Sequence, residues 1–299
     1  MISIYIFLFH GGIRTLALRI FNNLASYNAQ RLLSDNNNKL TQVFSRISSG
    51  VRIQKSSDDS AGMMTAEALK SDVRTLRQGV RNLSEGMSLL NVVDGALNEE
   101  VSIVIRMREL ATQSATGTIG TTERQTTNLE FNAMRSELNR ISKTTEYNGI
   151  KLLDGSLSSS ANKHISIQFG LDSDHASSVN LNRTVNVTAL TAFNLKLNEV
   201  SISSQNSASE ATEILKGTLD KMISMRGRLG STQKRLERTL NNTLTAAQNL
   251  TAAGSTINDA DMASEFASLT KQQILVQSSS AMIGQANLFP QGVIQLLPQ

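Results

Sequence analysis

The stretch LKSDVRTLRQGVRNLSEGMSLLNVVDGALNEEVSIV (residues 69–104) repeats an apolar side chain at spacings of four and three without a slip. The positions are Leu69, Val73, Leu76, Val80, Leu83, Met87, Leu90, Asp94, Leu97, Val101 and Val104, and ten of these eleven are apolar. A period of 3.5 is the mark of a coiled-coil seam rather than of an ordinary amphipathic helix. At about 1.5 Å per residue the segment makes a rod on the order of 50 Å long. Such a rod is not stable alone, because ordering its backbone costs as much as its seam returns, so it demands partner helices.

One partner lies far downstream. Leu215, Leu219, Met222, Arg226, Leu229, Gln233, Leu236, Leu240, Thr243, Ala247, Leu250, Gly254 and Ile257 keep the same rhythm, with eight clearly apolar members among thirteen. A third helix is predicted from Glu123 to about Lys143, with Leu129, Met134, Leu138 and Ile141 inward. ATQSATGTIGTT (111–122) supplies the turn before it. Toward the two chain ends, Leu33, Leu40, Phe44, Ile47 and Val51 form one helical stripe, and Met262, Phe266, Leu269, Val276 and Ile283 another. Residues 16–50 carry four basic and one acidic residue, and residues 258–299 three acidic and one basic. Opposite charge and matched length predict that the two ends pair, with electrostatics as a modest, screened contribution.

Residues 150–206 change character. ISIQFGLD (165–172), NLNRTVNVTAL (180–190) and LKLNEVSIS (195–203) alternate apolar and polar residues amid Ser, Asn and Gly, which predicts short strands and hairpins. The expected fold is mainly α: a long antiparallel helical coiled-coil or bundle rod, paired terminal helices and a small β-hairpin insert. The domain reading is 16–57 with 258–299 for the terminal helices and a connecting spoke, 58–149 with 207–257 for the rod, and 150–206 for the insert.

Composition narrows the function. Net charge is +4, from 29 Lys and Arg against 25 Asp and Glu, with both signs interspersed. Trp is absent and tyrosine is limited to Tyr5, Tyr27 and Tyr147, so the clustered cations and stacking rings of a nucleic-acid binder are missing. There is no Cys, and His10, His164 and His175 show no metal-ligand spacing. No nucleophile–base set, paired catalytic carboxylates or phosphate loop points to an enzyme or a cofactor. Asp58 and Asp59 in a serine-rich turn are a weak metal signal.

MISIYIFLF (1–9) is too short an apolar run to span a bilayer and lacks the basic start and cleavage site of a secretory signal. Gly11-Gly12 is encodable as a bacterial ribosome-binding sequence, with Leu16 as a start codon shortly after. Residues 1–15 therefore read as an upstream extension of the gene call. The alternative of another class, a membrane-anchored coiled-coil sensor or adhesin, needs a real anchor in those residues.

RISSGVRIQKSSDDSAG (46–62) breaks the helical pattern with five serines, two glycines and two adjacent aspartates. Gly50 and Gly62 permit backbone angles that end or redirect a helix. Asp58 and Asp59 are placed to cap the helix beginning near Ala61. This stretch resembles the signature of bacterial flagellins, with Ser48, Ser49, Gly50, Arg52, Ile53, Asp58, Asp59, Ala61 and Gly62 matching. The resemblance extends through ALRIFNNLASYNAQRLL (17–33), DGALNEEVSIVIRMRELATQSATGT (94–118), YNGIKLLDG (147–155) and INDADMASEFASLTKQQILVQSSSAMIGQANLFPQGVIQLL (257–297). Gly284, Gly292 and QSSS (277–280) depart from the family's usual helix formers.

The resemblance implies a structural subunit of the flagellar filament, a short form without large outer domains, secreted unfolded through the flagellum-specific channel. It implies a spoke (Ser49, Gly50, Arg52, Asp58, Asp59, Gly62) between an inner tube of terminal helices and the rod. Polymerisation falls to Leu33, Leu40, Phe44, Ile47, Phe266, Leu269, Val276 and Ile283. The polar chain ends are expected to stay disordered in the monomer and to pair only between neighbouring copies. Arg106, Arg108, Glu109, Leu110, Gln113 and Glu130 are expected to form a subunit contact, a region that in some flagellins is read by the animal innate flagellin receptor. Implied partners are copies of the chain, an export chaperone, a cap protein and hook–filament junction proteins. A hook–filament junction protein is itself the alternative within the family, and external and periplasmic filaments both remain open.

Overall fold

The structure, a computed structural model, describes residues 23–172 and 174–296, so the reading of residues 1–15 lies outside the described residues. Among the described residues, six α-helices and four short strands follow one another, with a 3-10 turn at His175–Ser177: α1 (Leu24–Ser49), α2 (Ser60–Ala115), α3 (Thr121–Thr144), β1 (Glu146–Tyr147), β2 (Ile150–Lys151), β3 (Ser166–Gln168), β4 (Ser178–Asn180), α4 (Leu181–Thr184), α5 (Gln205–Asn258) and α6 (Met262–Leu296). They fall into two compact units, Thr65–Ser255 and Met1–Met64 with Thr256–Gln299.

In the unit Thr65–Ser255, α2 buries the expected seam at Val73, Leu76, Leu83, Leu90, Leu97 and Val104. It also buries a second one, Gly79, Gly86, Val93, Glu100, Met107 and Ser114, spaced by seven residues. A helix with two seams is covered on two sides. On the first, α5 runs antiparallel, and the polar members of the two heptads answer each other. Arg226 donates to Asp94 at 3.2 Å and to Asn98 at 3.0 Å, and Gln233 to Asn91 at 3.1 Å. Polar partners at single seam positions fix register, since a slip of one heptad would set Asp94 against Leu219 or Gln233 and leave it without its cation.

The second seam receives the insert. The backbone of Phe169 lies where a side chain on Gly79 would be, and Ile167 lies where one on Gly86 would be. At the far end Ser114 donates to the carbonyl of Ile202 at 2.5 Å. α2 continues to Ala115, further than the turn expected from residue 111. Arg124 closes the actual turn by donating to the carbonyls of Ser114, Thr116 and Ile119. α3 turns Phe131 and Leu138 fully inward, whereas Leu129, expected inside, is 70% exposed.

The insert is less regular than its alternation suggested. β1 and β2 form a hairpin whose turn, Asn148-Gly149, has positive φ at both residues (50° and 74°), the geometry that Asn-Gly favours. β3 pairs with β4 through Ile167 and Val179. NLNRTVNVTAL, however, opens as the helical turn α4, and LKLNEVSIS forms no strand. Leu195, Leu197, Val200 and Ile202 still bury, with the alternation slipping by one residue after Leu197, but their backbone is held by side chains of α3 instead of a neighbouring strand. Asn128 accepts from the amide of Ile202, Asn139 from that of Ala192, and Arg135 donates to the carbonyls of Leu197, Asn198 and Val200. Asn182, fully buried, ties together two loop segments by donating to the carbonyls of Ser156 and Ser158 and accepting from the amide of Ile165.

The glycines of α2 give a sharp expectation. Gly95 has open space around it while Gly79 meets insert backbone. Gly95→Ala should therefore raise the urea midpoint by the helix-propensity gain, up to about 1 kcal/mol. Gly79→Ala should lower it by about 1–3 kcal/mol, because overpacking outweighs that gain.

Candidate assembly surface

In the terminal unit α1 and α6 lie antiparallel. α1 turns Ser26, Ala29, Leu33, Asn36, Leu40, Val43 and Ile47 toward its partner, a heptad stripe in which two members are polar. α6 answers with Glu265, Leu269, Gln272, Val276, Ser279, Ile283 and Ala286. The polar members meet: Asn36 donates to Ser279 at 2.9 Å, and Ser26 to Asn287 at 2.8 Å. Arg46 and Glu265 stand 3.6 Å apart at the other end. Each helix is capped. Asn23 accepts from the amide of Ser26 and donates to the carbonyl of Ala286, and Asp261 accepts from the amides of Ala263 and Ser264.

In this structure the pairing is made within one chain, and one expectation changes. Phe44 and Phe266, assigned to the seam by spacing, are 61% and 52% exposed, and Val43 takes the seam position beside Phe44. They belong to a different surface. Leu24, Tyr27, Leu32 and Phe44 on α1, and Phe266, Ile274, Met282 and Leu288 on α6, all stand exposed. The pair is thus polar at several points inside and leaves several large apolar side chains outside, more than a solvated helical hairpin needs.

The spoke is built from local hydrogen bonds. Gly50 ends α1 in the left-handed region at φ 72°, its amide on the carbonyl of Arg46. Ser49 accepts from the amide of Val51 at 3.3 Å and from Gln54 at 2.7 Å. The backbone then adds to the chain's other end: Val51 bridges Asp259, Arg52 donates its amide to Asn258, and Ala260 donates to Gly50. The Arg52 guanidinium reaches the carbonyl of Ile257 at 2.7 Å, in the last turn of α5, where a cation opposes the helix dipole.

The paired aspartates divide the labour. Asp59 caps α2 by accepting from the amide of Gly62 at 2.9 Å. Asp58 does not cap; it closes the preceding loop by accepting from the amides of Gln54 and Lys55 at 3.2 and 3.1 Å. Those two amides, chiefly, hold its carboxyl below the usual carboxylate range. Gly62 lies in the first turn of α2 and is needed for space instead of for its backbone angles. A Cβ there would strike the Asp59 carboxylate and sit 2.8 Å from Ile53 Cδ1.

On the rod, Arg106 donates to Glu130 at 3.0 and 2.7 Å and to Glu109 at 3.1 Å. Both carboxylates, Glu130 foremost, raise its guanidinium pKa. Arg108 is half-buried, Gln113 is exposed, and exposed Ile105 and Leu129 flank the cluster. Leu110 is not part of this face. It is 1% exposed and belongs to the core, because it follows Met107 and Val104 around the buried side of α2.

Residues 20–158 match the profile of the bacterial flagellin N-terminal helical region, and residues 212–297 that of the C-terminal helical region. A flagellin of Halalkalibacterium halodurans is 37% identical over 278 residues, covering 93% of this chain and 99% of that protein. A flagellin of Bacillus subtilis is 36% identical over 306 residues (94% and 100%). The flagellar filament 30.7 kDa core protein of Treponema maltophilum is 34% identical over 286 residues (93% and 99%).

The chain belongs to the bacterial flagellin family.

A flagellin is a structural filament protein and not an enzyme. The N-terminal profile spans α1, α2, α3 and the β1–β2 hairpin, and the C-terminal one most of α5 and α6. The irregular part of the insert lies between them. Among the described residues no helix of this flagellin is long and apolar enough to cross a membrane, and no group of three or more ligating side chains could hold a metal.

Two measurements test the spoke. Asp59→Ala should cost about 1 kcal/mol and speed amide exchange at Gly62 and Met63, as loss of an N-cap does. The Asp58 contribution is present above the ordinary carboxylate pKa and is lost as pH falls through its lowered folded-state value. Protection of the Gln54 and Lys55 amides should therefore collapse on the acid side, and Asp58→Ala should abolish that dependence.

Proposed function

We propose that this flagellin polymerises into the flagellar filament by burying the outward apolar face of the α1–α6 pair against copies of itself. The observation that carries this is the apolar surface left outside the pair: Tyr27, Phe44, Phe266 and Ile274 stand exposed, while the seam itself includes Ser26, Asn36, Gln272 and Ser279. Large apolar side chains gain by leaving water, and only a neighbouring surface removes these from it. The spoke positions that pair, and the Arg106–Glu109–Glu130 cluster with Ile105 and Leu129 offers a second, lateral contact.

The same terminal helices supply the surface for an export chaperone, the cap protein and the hook–filament junction proteins, by the family resemblance. A receptor reading the rod face meets Arg106, Glu130 and Gln113 and not the interior Leu110. Relatives named as flagellar filament core proteins support the filament over the junction reading.

Phe44→Asp with Ile274→Asp is the direct test. The pair should keep its inward seam and the rod its helicity by circular dichroism, while sedimentation and electron microscopy show no polymer. Cells carrying the variant should have hooks without filaments. Full-length filaments from the double variant would refute the assignment of this face.

A further inference from the structure

Glu100 stands in the second seam of α2 with no exposed surface, and neither carboxyl oxygen has a hydrogen-bond partner. Every other polar or small member of that seam has a reason in the packing: Gly79 and Gly86 admit the insert, and Ser114 bonds a carbonyl. Along α2, the side chains one and two turns away from Glu100 are Val93, Ala96, Leu97, Ile103, Val104 and Met107, all apolar. α3 presents Phe131 and Leu138 to the core, with Arg135 bonded to loop carbonyls, Arg140 to Glu137 and Glu130 to Arg106. α5 presents Met222 and Leu229, with Arg226 on Asp94 and Arg228 on the carbonyls of Val185 and Asn186. The insert presents Leu195, Leu197 and Ile202. No neighbouring charge acts on Glu100. Burial alone pushes its pKa up to about 8.

We propose that Glu100 is a pH-sensitive element of the rod: the folded core holds the neutral acid, and loss of its proton places an unpaired carboxylate among aliphatic side chains and loosens the helices around it. An isolated charge in such a setting has neither water nor a counter-ion, so the protein relieves it by opening. The sign follows from linkage. A carboxyl whose folded-state pKa is raised binds its proton more tightly in the folded chain. Its penalty is absent below the ordinary carboxylate pKa, grows as pH rises, and is complete once pH passes about 8. A rise in pH from the ordinary carboxylate range to about 8 therefore weakens the rod from within, independently of the polymerising face.

The test is urea unfolding of the full chain from pH 5 to 9.5, in dilute solution where light scattering shows monomer, for the native protein, Glu100→Gln and Glu100→Leu. Relative to Glu100→Leu, the folding constant of the native protein should fall about tenfold per pH unit until about pH 8 and then level off. Glu100→Gln should run parallel to Glu100→Leu. An infrared difference spectrum at pH 7 should show a protonated carboxyl in the native protein that Glu100→Gln lacks, a readout that does not depend on stability. If Glu100→Gln does not fold, the native protein against Glu100→Leu gives both measurements. Superimposable pH profiles, or no protonated carboxyl at pH 7, would overturn the proposal.

Discussion

A helix with buried seams on two sides cannot persist in water by itself, and α2 is such a helix. Its backbone hydrogen bonds are internally satisfied, but its apolar stripes need cover along their full length. α5 covers one with an antiparallel seam, and α3 with the insert covers the other. The polar exceptions within the repeats settle which residues meet: Asp94 and Arg226 are misfits in their own heptads and partners across them. The small insert is then a lid made necessary by a stripe that two long helices leave open.

The terminal pair answers the opposite problem. Its inward faces are modest and partly polar, whereas its outward faces carry much of its large apolar surface. α6 accordingly shows almost no one-sidedness, because its apolar residues are distributed between a partner in the same chain and a surface for others. Hydrogen-bonded rungs such as Asn36–Ser279 contribute little net free energy in a part-exposed seam, but they penalise misalignment heavily. The rungs thus fix the register without adding much stability, and the exterior is where association gains most.

Much of this was legible in the residues. The heptads of 69–104 and 215–257, the matched chain ends and the capping aspartate were readable because period and capping chemistry act locally. Other features were hidden for definable reasons. The second seam of α2 contains two glycines, a serine and a glutamate, residue types that no apolar pattern counts, so only their exact sevenfold recurrence betrayed them. Phe44 and Phe266 were drawn into the seam because a large ring at nearly the right spacing suggests the interior, yet both stand exposed, one position away from the seam residues Val43 and Glu265. LKLNEVSIS alternated like a strand, but no strand lay beside it, and Asn128, Arg135 and Asn139 of α3 met its backbone instead. Leu110 shows the converse, a residue matched to a surface role whose helical phase turns it inward.

Asn36 and Ser279 are separated by 243 positions in the chain. Closing a loop of that size from an unfolded chain carries a high entropic barrier, and contacts so remote in sequence form slowly. Once α2 and α5 have zipped, most of the intervening chain is already spanned and the effective loop shrinks to the spokes and ends. The adhesive helices therefore come together late, after the rod has folded. Timing is thus written into connectivity: the stickiest part of the molecule matures last.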